Sequence, residues 1–220
     1  MNPSENRPRP AQIAIRAGLV AAGLAAWFAT QQLIASRPDP GGRIGDAVLE
    51  WTAGIHAFLE SNPAWADGLL IASSAIIDLL GIFLLGRAIF GPTMRPFVAL
   101  LILFGLRQIC QGLCALPPPE GMIWRSPGFP TLLVTYGVSN DLFFSGHTGI
   151  AVLGAYELAR LGRLSMAILG IAIALFQAAT VLVLRAHWTM DVLAGAIAAL
   201  LAALLAARLA PHVDRLLAKS

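Results

Sequence analysis

LSMAILGIAIALFQAATVLVL, residues 164–184, runs for 21 residues without a charged side chain. A stretch of 18 or more uncharged apolar residues is long enough to span a bilayer. The sequence around it repeats that signal. Apolar runs at 13–34, 68–85, 97–116, 143–161, 164–184 and 187–209 predict six membrane spans. Composition agrees: 57% of residues are hydrophobic, 12% are charged, and mean hydropathy is +0.74. Soluble domains carry about 25% charged residues, so the chain reads as an all-α polytopic membrane protein, a single six-helix bundle.

No repeat or second domain interrupts the pattern. Residues 1–10 read as a disordered cytoplasmic tail, 11–210 as the six-helix membrane domain, and 211–220 as a basic tail. Between the first two spans, residues 36–67 read as a loop holding a short interfacial helix, with Trp51, Phe58 and Trp65 at headgroup depth. Residues 117–142 are rich in Pro and Gly and too polar to lie in lipid.

The net charge of +3 and pI near 9.4 call for no nucleic-acid partner, because basic residues at membrane edges account for them. Fourteen of the 15 basic residues are Arg, a compositional pointer to a GC-rich bacterial genome. Ten basic residues fall on the amino-terminal side of the predicted topology and four on the other. That asymmetry puts both termini in the cytoplasm. The loops at 117–142 and 185–188 then face the periplasm of a bacterial inner membrane. Cys110 and Cys114 are one turn apart on one helix, a geometry that disfavours a disulfide.

Two short patterns flank the uncharged run: Ser145-Gly146-His147-Thr148 and His187-Trp188-Thr189-Met190-Asp191. The 40 residues between the histidines cross the bilayer and return, so both reach one face. Asp191 lies one helical turn from His187, where a carboxylate can hold the imidazole. The pairing suggests a histidine nucleophile and an acid/base partner. His147 follows a predicted helix start, whose free N–H groups favour an anionic phosphate, and Gly146 permits close approach. His56 and His212 have no such company and read as surface residues.

Charges within spans are expensive and point to function or pairing. Arg107 lies about 18 Å beyond Arg95 along its helix, in the outer half of the membrane. It either clamps a phosphate bidentately or pairs with Asp78 at similar depth. Glu157 lies near the inner edge, within reach of Arg160 or Arg163.

The segment Asp141-Leu-Phe-Phe-Ser145-Gly-His147-Thr148, with His187-Trp-Thr189-Met-Asp191-Val, resembles the signature motifs of sphingomyelin synthases. That family lies within the type 2 phosphatidic acid phosphatase superfamily. The stretch from Arg95 through Arg107 to Leu116-Pro117 is similar to the family's arginine segment, and the resemblance covers about residues 87–200. Ser139-Asn140 and Leu193-Ala-Gly-Ala depart from it. The resemblance implies transfer of a phosphocholine or phosphoethanolamine group from a phospholipid donor to a lipid alcohol such as ceramide or diacylglycerol. In it, His187 is the nucleophile, Asp191 its support and His147 the acid/base. Arg107, Asp141, Ser145, Gly146 and Arg185 are expected at the substrate. No metal or cofactor is expected. Hydrolysis by the same residues, as in lipid phosphate phosphatases, and a membrane transporter are the alternatives.

Overall fold

The structure, a computed structural model, describes residues 9–36, 44–134, 136 and 142–219. Eight helices follow in order: α1 (Pro10–Ala35), α2 (Ala47–Trp51), α3 (Ala53–Ser61), α4 (Pro63–Phe90), α5 (Arg95–Leu113), α6 (Gly146–Ala159), α7 (Leu164–Val183) and α8 (Thr189–Leu217). Five of them, α1, α4, α5, α7 and α8, are long and apolar enough to cross a membrane. The chain is a multi-pass integral membrane protein.

The sixth expected span is the exception. Ser145 caps α6 by accepting the Thr148 N–H, and the helix stops before Gly162, whose φ of 74° ends it. Fourteen residues of helix reach only about 21 Å, short of the roughly 30 Å hydrocarbon core. The hydropathy of residues 143–161 thus reflects burial in protein: α6 packs among α4, α5, α7 and α8. Its crossing with α7 is close because a Cβ on Gly170 would meet Ala155 Cα at 2.6 Å.

The remaining core joins α5 and α8 through alanines. Ala199, Ala202, Ala203 and Ala206 recur at helical spacing on α8 and are buried. Small side chains let membrane helices approach closely enough for dispersion to hold them. Residues 211–217, expected as a tail, continue α8 through Pro211. Asp214 there accepts the Thr93 hydroxyl at 2.6 Å and the Met94 N–H at 2.8 Å, fixing the α4–α5 turn.

The expected interfacial helix is two helices, α2 and α3. Trp51, Phe58 and Trp65 are exposed, as headgroup anchors would be. His56 on α3 is not a surface residue. It is 3% exposed, and its Nδ1–H donates to the Val183 carbonyl at 3.0 Å, tying α3 to the end of α7. His212 is exposed. Cys110 and Cys114 are free thiols.

At the end of the bundle away from the histidines, Arg16 donates to the Gly91 carbonyl at 2.9 Å. Nearby, Glu157 pairs with Arg95 at 2.6 Å rather than with Arg160 or Arg163. Arg160 instead lies over the Tyr156 ring, 5.9 Å from its centroid. The sequence neighbours lie on the outer surface, whereas Glu157 is 1% exposed and needs a partner inside.

Candidate active site

The second histidine is set by how α7 ends. Arg185 adopts φ 52°, the Arg185 N–H donates to Leu182 O at 2.9 Å, and the Ala186 N–H to Val181 O at 2.8 Å. This is a Schellman termination with arginine where glycine is usual. It turns the chain so that His187 precedes α8 directly. Asp191, in the first turn of α8, accepts from His187 Nδ1 at 3.1 Å and from the Trp188 N–H at 3.0 Å through the same oxygen. The carboxylate is fully buried. With Nδ1–H committed to Asp191, the lone pair of His187 lies on Nε2.

The first histidine is set by α6. The Ser145 N–H donates to the Asp191 carbonyl at 2.9 Å, so the two motifs are joined through backbone. Gly195, one turn beyond Asp191, makes that possible: a Cβ there would meet Ser145 O at 2.5 Å. Sequence reading passed over Gly195 within Leu193-Ala-Gly-Ala. Ser145 is completely buried and acts through the cap.

His147 and His187, each 7% exposed, line one cavity of about 50 Å³ together with Arg107 and Gly146. His147 Nε2 has no hydrogen-bond partner among the described residues. The Arg107 guanidinium donates to the Gln31 side-chain oxygen, and its Nε lies 3.5 Å from where a Cβ on Gly146 would stand. Asp78, the other partner considered for Arg107, accepts the Leu132 and Leu133 N–H groups, both at 2.9 Å. It holds the 117–134 segment over the bundle. Trp27, Phe104 and Trp124 line the same cavity.

Arg185 lies in a neighbouring groove of about 160 Å³ with Asp46, Glu50, Glu120 and Trp188, and donates to the Glu120 carbonyl at 2.7 Å. Asp141 lies outside the described residues. Among the described residues, no three His, Cys, Asp or Glu side chains cluster as a metal site requires.

Two contributions were not read from the sequence. Asp46 caps α2 through the Val48 and Leu49 N–H groups. It also accepts the Thr189 N–H at 2.6 Å and the Thr189 hydroxyl at 2.7 Å. Burial would raise its pKa, but the hydrogen bonds from Thr189, Leu49 and Val48 outweigh burial and hold it below the ordinary carboxylate value. An aspartate just before an apolar run is a readable cap signal; its second partner, 143 residues away, is not. The other contribution is α1, which supplies Gln31 and Trp27.

Chemically, the arrangement offers a nucleophilic nitrogen backed by a carboxylate, a second imidazole, a guanidinium and the free N–H groups of a helix start. Those are the groups that phosphoryl transfer through a covalent histidine requires.

Comparison with known proteins agrees in kind and corrects the detail. The phosphatidylcholine:diacylglycerol cholinephosphotransferase 1 of Arabidopsis thaliana is 26% identical over 171 residues, 78% of this chain and 54% of that protein. The chain thus spans about half the length of that relative. No solved structure matches. These relatives lend no support to the sphingolipid acceptor that the resemblance implied. The match also begins at residue 45 rather than near 87, so α2 to α4 fall within it. Over residues 45–208 the sequence matches the AtPDCT1/2 family, and the chain belongs to it.

Proposed function

We propose that this chain exchanges phosphocholine between phosphatidylcholine and diacylglycerol through a covalent intermediate on His187. The observation that carries the reading is the single cavity holding His147, Arg107 and an Asp191-backed His187. The named activity of the Arabidopsis relative supports the headgroup and the acceptor.

In the first half-reaction His187 Nε2 attacks phosphorus while the P–O bond to diacylglycerol breaks. His147 gives a proton to the departing oxygen. Asp191 stabilises the positive charge that develops on His187, and Arg107 holds the phosphoryl oxygens where charge accumulates. In the second half-reaction another diacylglycerol yields its hydroxyl proton to His147 and attacks phosphorus. The P–N bond breaks and His187 is restored. A water molecule in place of diacylglycerol would make the same site a hydrolase, so excluding water from the cavity sets the outcome. Ser145 and Gly146 act by holding the start of α6 open to the phosphate, and Asp141 by orienting His147 or the acceptor. No metal or other cofactor enters these steps. Although short, α6 runs from the Arg107 end of α5 to its Arg95 end, so the chain still makes six passes and the arginine asymmetry supports a site on the periplasmic face of an inner membrane, with phospholipid and diacylglycerol arriving laterally.

The test uses proteoliposomes of phosphatidylcholine and chain-deuterated diacylglycerol. Deuterated phosphatidylcholine should appear by mass spectrometry, with little free phosphocholine. His187→Ala should abolish it, and acid-labile phosphocholine label should be retained on wild type alone. Free phosphocholine as the main product would replace transfer with hydrolysis. A folded His187→Ala protein with more than a few per cent of wild-type turnover would remove the covalent step.

A further inference from the structure

We propose that Trp27, Phe104 and Trp124 form an aromatic box for the quaternary ammonium of the donor lipid, making the cavity selective for choline over ethanolamine. The proposal rests on the transfer reading above and names the headgroup contacts of that same site.

A phosphocholine group carries a positive charge two carbons from its negative one. The cavity offers groups for both. Arg107, His147, His187 and the start of α6 suit the phosphate. The same cavity is lined by three aromatic rings brought by three separate parts of the chain: α1, α5 and the loop after α5. Trp27 and Phe104 stack with centroids 4.9 Å apart and planes 27° apart. Trp124 stands edge-on to His147 at 5.2 Å and tilts against Tyr136 at 5.0 Å, so an aromatic ring adjoins the imidazole assigned to proton transfer.

No carboxylate lines this cavity among the described residues. A carboxylate there would be drawn to Arg107, whereas the faces of aromatic rings attract a cation without competing for the guanidinium. Trimethylammonium has no N–H and needs no acceptor, so an aromatic wall satisfies it. The three N–H groups of ethanolamine would lose their water here and find no acceptor on those rings.

A second observation points to a ligand. Trp27 Nε1 is buried without a hydrogen-bond partner among the described residues. A buried indole N–H normally has one. A phosphoryl oxygen of the headgroup would supply it.

The experiment measures binding and turnover with the full chain in maltoside detergent. Three probes share one tail: dodecylphosphocholine, dodecylphosphoethanolamine, and the neutral isostere in which carbon replaces the choline nitrogen. Dodecylphosphocholine should bind roughly tenfold more tightly than the isostere. Trp124→Leu should abolish that preference. Site-specific trifluorotryptophan at 27 or 124, which keeps ring shape but empties its face of negative charge, should weaken only the cationic probe. Equal affinity for charged and neutral probes would overturn the proposal and leave the rings as an acyl-chain wall. Fluorination without effect would overturn it as well. The two readings fail separately: a charge preference in binding with no transfer to diacylglycerol keeps the box and removes the transferase.

Discussion

Two arginines on α5 meet the two ends of α6 and do opposite things there. Arg95, 8% exposed, is locked against Glu157 near the last turn of α6. Arg107, 6% exposed, lies beside Gly146 in the first turn, held by the neutral amide of Gln31. A cation near the last turn of a helix is favoured by the dipole; one at the first turn adds positive charge to a positive end. Arg95 therefore closes its end of the bundle, whereas Arg107 makes the other end attractive to an arriving phosphate. Burial and residue type do not separate them. The helix end does.

Breaking the closed end should have the larger effect on stability. Arg95→Leu leaves Glu157 buried alone and should destabilise by about 3–5 kcal/mol. Arg95→Leu with Glu157→Leu should recover most of that loss, because the charges leave together. Thermal unfolding in detergent checks both. Turnover of the folded double variant should stay within a few-fold of wild type. A double variant as unstable as the single one would refute the isolated-charge explanation.

Arg107 should respond the other way round. Arg107→Lys keeps the charge but loses the planar fork, and turnover should fall on the order of 10²-fold with a melting temperature close to wild type. Wild-type turnover in Arg107→Lys would reduce Arg107 to the same structural class as Arg95.

The asymmetry explains what the sequence made legible. His147, His187 and Asp191 are readable because each relation is local: a crossing and return of known length, and a one-turn offset along α8. The spans of α1, α4, α5, α7 and α8 follow from continuous hydropathy. Hydropathy cannot tell lipid from protein as the apolar surroundings, so it overstates the length of α6 and hides its burial in the bundle. Glu157 pairs across 62 residues, Asp46 across 143, and Gln31 across 76. None leaves a periodic trace, so the contribution of α1 and the second role of Asp46 emerge only when helices pack. Arg107 could be placed along α5 relative to Arg95, but its surroundings could not be read.

Asp46 extends the comparison to the edge of the site, where one carboxylate serves both α2 and α8. Asn still accepts from the Val48 and Leu49 N–H groups but cannot accept at both Thr189 donors. Asp46→Asn should therefore cost about 1 kcal/mol, a capping-sized effect at a half-buried position. The pH dependence has a definite sign. The folded carboxyl is held below its ordinary value, so its stabilisation is complete above the unfolded-state value near 3.9 and is lost as pH falls through the folded value. The stability gap between wild type and Asp46→Asn should be constant from about pH 5 to 8 and narrow below pH 4. A gap that widens in acid would show that the carboxylate is not the stabilising form.

Arg185 gives the smallest effect and the finest test of the division between structural and functional arginines. Its backbone sits at φ 52°, a left-handed conformation that costs an L-residue about 1 kcal/mol and glycine almost nothing. Arg185→Gly relieves that strain while removing an exposed hydrogen bond to the Glu120 carbonyl, worth about 0.5 kcal/mol in water. Stability should thus rise by about 0.5 kcal/mol. The side chain lines the groove beside Trp188 and not the histidine cavity. It can attract the phosphate toward the site but cannot grip it during transfer. Arg185→Gly should then raise KM for the donor a few-fold, with kcat little changed and the KM effect shrinking as salt is added. A loss of kcat matching that of Arg107→Lys would move Arg185 into the phosphate clamp. An unchanged KM at low salt would assign arginine at that turn to the Glu120 bond alone.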